Sequence, residues 1–127
     1  MSDTPLPTNA ELGILNVLWH HERATVREVH EELGQETGYT TTLKLMQVMA
    51  AKGLLVRDES NRSHVYRPSR AESETQSRLL VDLADRAFAG SASRLVLRLL
   101  SSQPAAAEEL TQIRKLLDDL EEKGNQR

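Results

Sequence analysis

Residues 40–68 read TTTLKLMQVMAAKGLLVRDESNRSHVYRP, and the periodicity changes partway through. From Thr40 to Lys52 the apolar side chains Leu43, Met46, Met49 and Ala50 recur at helical spacing. At about 100° per residue they share one face. Gly53 follows, where glycine suits a helix C-terminus. Beyond it stand two short β-like runs, Leu54–Arg57 and His64–Pro68, separated by the polar, turn-forming stretch from Asp58 to Ser63. The segment predicts a helix followed by a two-stranded hairpin with Arg62 at its tip.

Working upstream, two S/T-x-x-E signals mark helix starts, Thr8-x-x-Glu11 and Thr25-x-x-Glu28; downstream, Ser69-x-x-Glu72 marks a third. Leu12, Leu15, Leu18 and Trp19 make the first helix amphipathic, with its end near His20 and His21. Val26, Val29 and Leu33 do the same for the second, which ends near Gly34 and Gly38. Three helices followed by a hairpin is the layout of a winged helix-turn-helix, in which the last helix enters the DNA major groove and the hairpin reaches the adjacent backbone. The expected fold class is mainly α: a winged helix-turn-helix (α+β, with a small β-hairpin wing) over residues 6–69, then a helical dimerisation region over residues 70–123.

The downstream region reads as helical throughout. Leu79, Leu80, Leu83, Ala84, Ala87 and Phe88 form one apolar stripe, which Gly90 should end. Leu95, Val96, Leu99 and Leu100 form a second before Pro104, and Leu110, Ile113, Leu116, Leu117 and Leu120 a third. Short leucine-striped helices bury little by themselves. The stripes therefore either pair with another copy, giving a homodimer, or pack on the first domain; pairing is the economical solution. Lys123–Arg127 reads as a frayed tail.

Composition narrows the function. The 127-residue chain holds no cysteine, which excludes disulfides, thiolate metal sites and cysteine nucleophiles and fits a reducing cytoplasm. No basic segment leads an apolar run and no stretch approaches a membrane span, so a cytoplasmic protein without a membrane partner is expected. Net charge is −3, yet the charge is unevenly spread. Residues 40–70 carry six basic side chains (Lys44, Lys52, Arg57, Arg62, Arg67, Arg70) against Asp58 and Glu59, a local +4. A basic segment inside an acidic chain is a candidate phosphate-binding face.

On this reading the partner is double-stranded DNA and the outward face of the third helix supplies specificity. Gln47 pairs with adenine, Lys44 with guanine or phosphate, and Thr41, Leu45 and Val48 touch thymine methyls. Thr40, Thr42 and Lys52 complete the candidate set on this helix, although whichever of Thr40 and Thr41 stands first also suits an N-cap. Arg62, Ser63 and Arg57 are candidate phosphate contacts. Arg27 is assigned either to phosphate or to an i,i+4 pair with Glu31. Aromatics are 3% of the chain, which disfavours stacking on single-stranded bases.

These residues also resemble a known family. Leu6-Pro-Thr-Asn-Ala-Glu-Leu-Gly-Ile-Leu-Asn-Val-Leu-Trp19, Thr25-Val-Arg-Glu-Val29, Tyr39-Thr-Thr41, Lys52-Gly-Leu-Leu55 and Tyr66-x-Pro68 resemble the penicillinase repressor (BlaI/MecI) family. So do Ser93-Arg-Leu-Val-Leu97 and the stretch from Glu109 to Asp118. The resemblance implies a winged-helix domain, a helical dimerisation domain and repression at inverted-repeat operators. It also implies relief by a sensor-triggered protease or, in copper-responsive members, by metal on C-terminal cysteines. This chain lacks those cysteines, and Ala89-Gly-Ser-Ala-Ser-Arg94 stands where a cleaved Asn-Phe pair would be sought. A protease or sensor partner is therefore left unassigned.

Other classes find less support. His20, His21, Glu22 and His30 are the only candidates for a catalytic or metal constellation, and adjacent helical histidines diverge by about 100°. Neither an enzyme nor a cofactor or metal is expected. The remaining alternative is a winged-helix protein-interaction adaptor that does not bind DNA, which the negative net charge favours.

Overall fold

Both upstream capping boxes close. Helix α1 (Asn9–His21) starts at Thr8, whose hydroxyl accepts the Glu11 amide at 3.2 Å while Glu11 Oε1 accepts the Thr8 amide at 2.9 Å. Thr25 and Glu28 repeat the arrangement at the start of α2 (Val26–Glu32). Each pair satisfies two amides that the helix start would otherwise leave open. The structure, a computed structural model, describes residues 4–34 and 38–125.

Helix α3 (Tyr39–Ala51) is capped by Gly38 without a side-chain hydrogen bond, so Thr40 and Thr41 lie inside the helix and neither is its cap. Its end is a Schellman turn. The Leu54 amide donates to the Met49 carbonyl at 2.9 Å and the Gly53 amide to Ala50 at 3.1 Å. Gly53 takes the left-handed φ of +88° that this turn requires.

The hairpin is formed by β2 (Leu55–Asp58) and β3 (Val65–Pro68), with Leu55 opposite Pro68 and Asp58 opposite Val65. It is not alone. A two-residue strand, β1 (Ala24–Thr25), pairs antiparallel with β3, giving a three-stranded sheet in the order β1-β3-β2. The expected two-stranded wing is thereby corrected: two residues between helices are too few to show alternation, and only the fold brings them to the hairpin's free edge.

The core lies between the three helices and the sheet. Ile14, Leu15 and Leu18 meet Val26, Val29, Met46, Met49, Leu54, Leu55 and Tyr66, all buried. Trp19 is half-buried at the edge and its Nε1 donates to the Arg70 carbonyl at 3.2 Å. One buried charge needs an explanation. Glu11 is paired at 2.6 Å with Lys52, so the ammonium at the end of α3 compensates the carboxylate that caps α1.

The third capping box does not form. Ser69 extends the sheet edge instead, its amide bonding to the Leu54 carbonyl at 3.0 Å and its hydroxyl donating to the Gly53 carbonyl at 2.6 Å, and α4 (Glu72–Ala87) begins after it. The chain divides into two compact units after Leu80. The first thus continues past residue 69 into α4. Thr75 is buried there, Arg70 pairs with Glu74, and Arg70 and Arg78 both donate to Thr4.

The second unit holds the rest of α4, then α5 (Ala92–Ser102) and α6 (Ala107–Asn125). Ser91 caps α5 by accepting the Arg94 amide at 3.2 Å. Neither α5 nor α6 contains a buried residue. Helix α6 continues to Asn125, which corrects the expectation of fraying from Lys123; residues 126–127 lie outside the described residues. No helix among the described residues is long and apolar enough to cross a membrane.

Candidate nucleic-acid interface

Burial of Met46 and Met49 turns the other side of α3 to solvent. Thr40, Thr41, Lys44, Gln47 and Val48 are all exposed there, with Val48 at 42%. Three candidates depart from that face. Thr42 is 1% exposed and its hydroxyl shares a 3.3 Å hydrogen bond with His30 Nδ1, so it joins α3 to α2 and is not available to a groove. Its position between Thr41 and Leu43 places it on the flank of the core stripe, where a small hydroxyl fits beside a partner. Lys52 is engaged by Glu11, an electrostatic demand that spacing alone does not reveal. Leu45 is half-buried and packed against the core, so only part of it faces outward.

The wing loop connects Asp58 to Val65. Asp58 Oδ1 accepts the Ser60 amide at 2.9 Å, and the Ser60 hydroxyl, together with that amide, holds the Asp58 carboxyl below the usual carboxylate range. Arg57 pairs with Glu59 at 2.8 Å, whereas Arg62 and Ser63 stand exposed at the tip.

Between α2, α3 and the wing lies a concave surface of about 330 Å³. Gln47, Arg62 and Ser63, read from sequence as candidates, meet there with Thr25, Arg27, Tyr39 and His64. No carboxylate lines it among the described residues, although the chain as a whole carries −3. Hydrogen-bonding amide, guanidinium, hydroxyl and imidazole groups on one surface suit a polyanion with readable edges.

Sequence reasoning missed Tyr39 and His64 and left Arg27 undecided. The Arg27 guanidinium sits 5.3 Å from the Tyr39 ring centroid, and the His30 ring meets Tyr39 edge-on at 5.7 Å. Tyr39 opens the threonine run, so its place at the first turn of α3 was the available signal. Elsewhere, His21 lies 3.6 Å from Glu32 and edge-on to His20. No group of three or more metal-ligating His, Asp or Glu side chains is assembled among the described residues.

On the second unit and its approach, Leu80, Leu83, Val96, Leu99, Leu116, Leu117 and Leu120 are exposed. Leu79, Phe88, Leu95, Leu110 and Ile113 are half-buried. The predicted stripes are therefore present as apolar helix faces that the chain itself leaves largely uncovered.

Residues 7–119 match the penicillinase repressor family. The chain is 31% identical over 115 residues to the transcriptional regulator BlaI of Mycobacterium tuberculosis, covering 87% of this chain and 82% of the relative. It is 25% identical over 121 residues to the penicillinase repressor of Bacillus licheniformis, covering 94% of each. The fold is similar to the solution structure of the DNA-binding domain of the repressor BlaI, with a TM-score of 0.51 and 29% identity. That likeness covers 58% of this chain and 93% of that domain.

Proposed function

The chain belongs to the penicillinase repressor family, and from that premise we propose that it is a transcriptional repressor binding a duplex operator as a homodimer on an inverted repeat. The observation that carries the reading is the concave surface where α3 and the wing converge, which no carboxylate lines among the described residues, in a chain otherwise acidic. Residues 6–69 carry the DNA contacts and residues 70–123 the dimerisation surface. The structural neighbour, a repressor's DNA-binding domain, supports the first of these assignments.

In this mechanism α3 lies in the major groove. Gln47 reads an adenine edge, Lys44 a guanine or phosphate, and Thr41 and Val48 make apolar contact with thymine methyls. Thr40 stands at the first turn, beside the backbone. Arg62 and Ser63 bind phosphate and fix the register without reading sequence. A second copy covers the exposed leucines of α5 and α6. Two α3 helices then meet half-sites about one helical turn, or a multiple of it, apart.

Selection from a random duplex library, with the mass of the complex at moderate salt, tests this. Recovery of an inverted repeat bound by two chains supports the reading. Failure to bind any duplex even at low salt favours a protein-interaction adaptor.

A further inference from the structure

We infer that Arg27 is a backbone-phosphate contact held ready by Tyr39 and His30, so that α2 adds a pre-set cation to the surface made by α3 and the wing. The inference rests on the duplex-binding reading above. Arg27 is the second residue of α2, two positions past the Thr25 cap. A cation there opposes the helix dipole, so helix stability does not account for it. Among the described residues no carboxylate forms an ion pair with it; its guanidinium lies over the face of Tyr39 at 5.3 Å, within cation–π range. A guanidinium held over a ring by cation–π attraction has no acceptor on the ring for its N–H donors, which remain for an oxyanion.

The arrangement is anchored from the core outward. Thr42, buried in α3, bonds to His30; the His30 ring stands at 87° to Tyr39; Tyr39 carries Arg27. A long side chain held this way has less rotamer freedom to lose on contact, which is how a positioning residue raises affinity without touching the ligand. Arg27 opens onto the same concavity as Arg62 and His64. Two guanidiniums, Arg27 and Arg62, with no carboxylate lining the surface among the described residues, fit the phosphates of a duplex backbone.

Full-length protein should be titrated with a library-selected duplex and an unrelated one across a salt series. Arg27→Ala should weaken both duplexes alike, about tenfold, and reduce the log–log salt slope by about 0.9. Tyr39→Leu should weaken both about threefold with the slope kept, while Tyr39→Phe, which keeps the ring, stays within about twofold of wild type. The double variant Arg27→Ala/Tyr39→Leu should bind no more weakly than Arg27→Ala. Wild-type affinity and slope in Arg27→Ala, additive losses in the double variant, or a Tyr39→Phe as weak as Tyr39→Leu would each overturn the inference and leave duplex binding standing. Absence of wild-type binding at low salt would remove duplex binding itself. Should Tyr39→Leu fail to fold, Arg27→Ala and Tyr39→Phe still decide the matter.

Discussion

Glu11 shows how one side chain can satisfy two demands. It caps α1 through Thr8 and accepts Lys52, and it is buried while doing so. Burial alone raises its pKa, but the hydrogen bonds from Lys52 and the Thr8 amide, with the Lys52 charge, outweigh that and hold the carboxyl below the ordinary glutamate range. A lowered folded-state pKa means stability that is complete above the ordinary glutamate value and lost as pH falls through the folded one. Chemical denaturation across that acidic window should therefore show a fall in wild-type stability that Glu11→Gln reduces, with the parts due to Glu28 and Asp58, whose carboxyls are also held low, remaining. Lys52→Met should cost about 2–3 kcal/mol at neutral pH, below the range for fully buried pairs because the Lys52 side chain is 32% exposed. Glu22, just past α1, holds a positive φ of 72°, a strained conformation for a residue with a side chain. Glu22→Gly should raise stability by about 1 kcal/mol in a urea titration.

Helix α3 is specified twice, by its core stripe and by its glycine stop. Replacing Gly53 by alanine should destabilise the protein by about 1 kcal/mol or more in thermal unfolding, because the Schellman turn needs its left-handed φ. The exposed face of α3 and the wing should separate in binding assays. Gln47→Ala is expected to relax preference at one base pair, worth about 1–3 kcal/mol, when selected and single-substituted duplexes are compared. Arg62→Ala is expected to weaken all duplexes alike and flatten the salt dependence. Helices α1 and α2 were legible because capping and periodicity agree in each, and α3 because its core stripe runs to a glycine stop, although its N-cap is Gly38 and not a threonine. Strand β1 and the start of α4 were not. Ala24 and Thr25 pair only because β3 arrives beside them, and Ser69 is drawn from its capping box by the Leu54 and Gly53 carbonyls.

The uncovered leucines of α5 and α6 are the surface on which the proposed dimer rests. Leu117→Asp with Leu120→Asp should give a monomer by light scattering with the first unit still folded, and operator affinity should fall by ~10²-fold or more as linkage of two half-sites is lost. Unchanged mass in that variant would place the dimer contact elsewhere. The sequence by itself determined the helices that carry a cap and a stripe, the hairpin, the basic segment inside an acidic chain and the family, since these are set by neighbours within a few residues or by summed composition. Only the tertiary structure decided that Thr42 turns inward to His30, that Lys52 is taken by Glu11, and that Arg27 lies over the Tyr39 ring beside the wing. Those outcomes depend on contacts between side chains from different helices. Periodicity says which way a residue faces, and the fold alone says what it finds there.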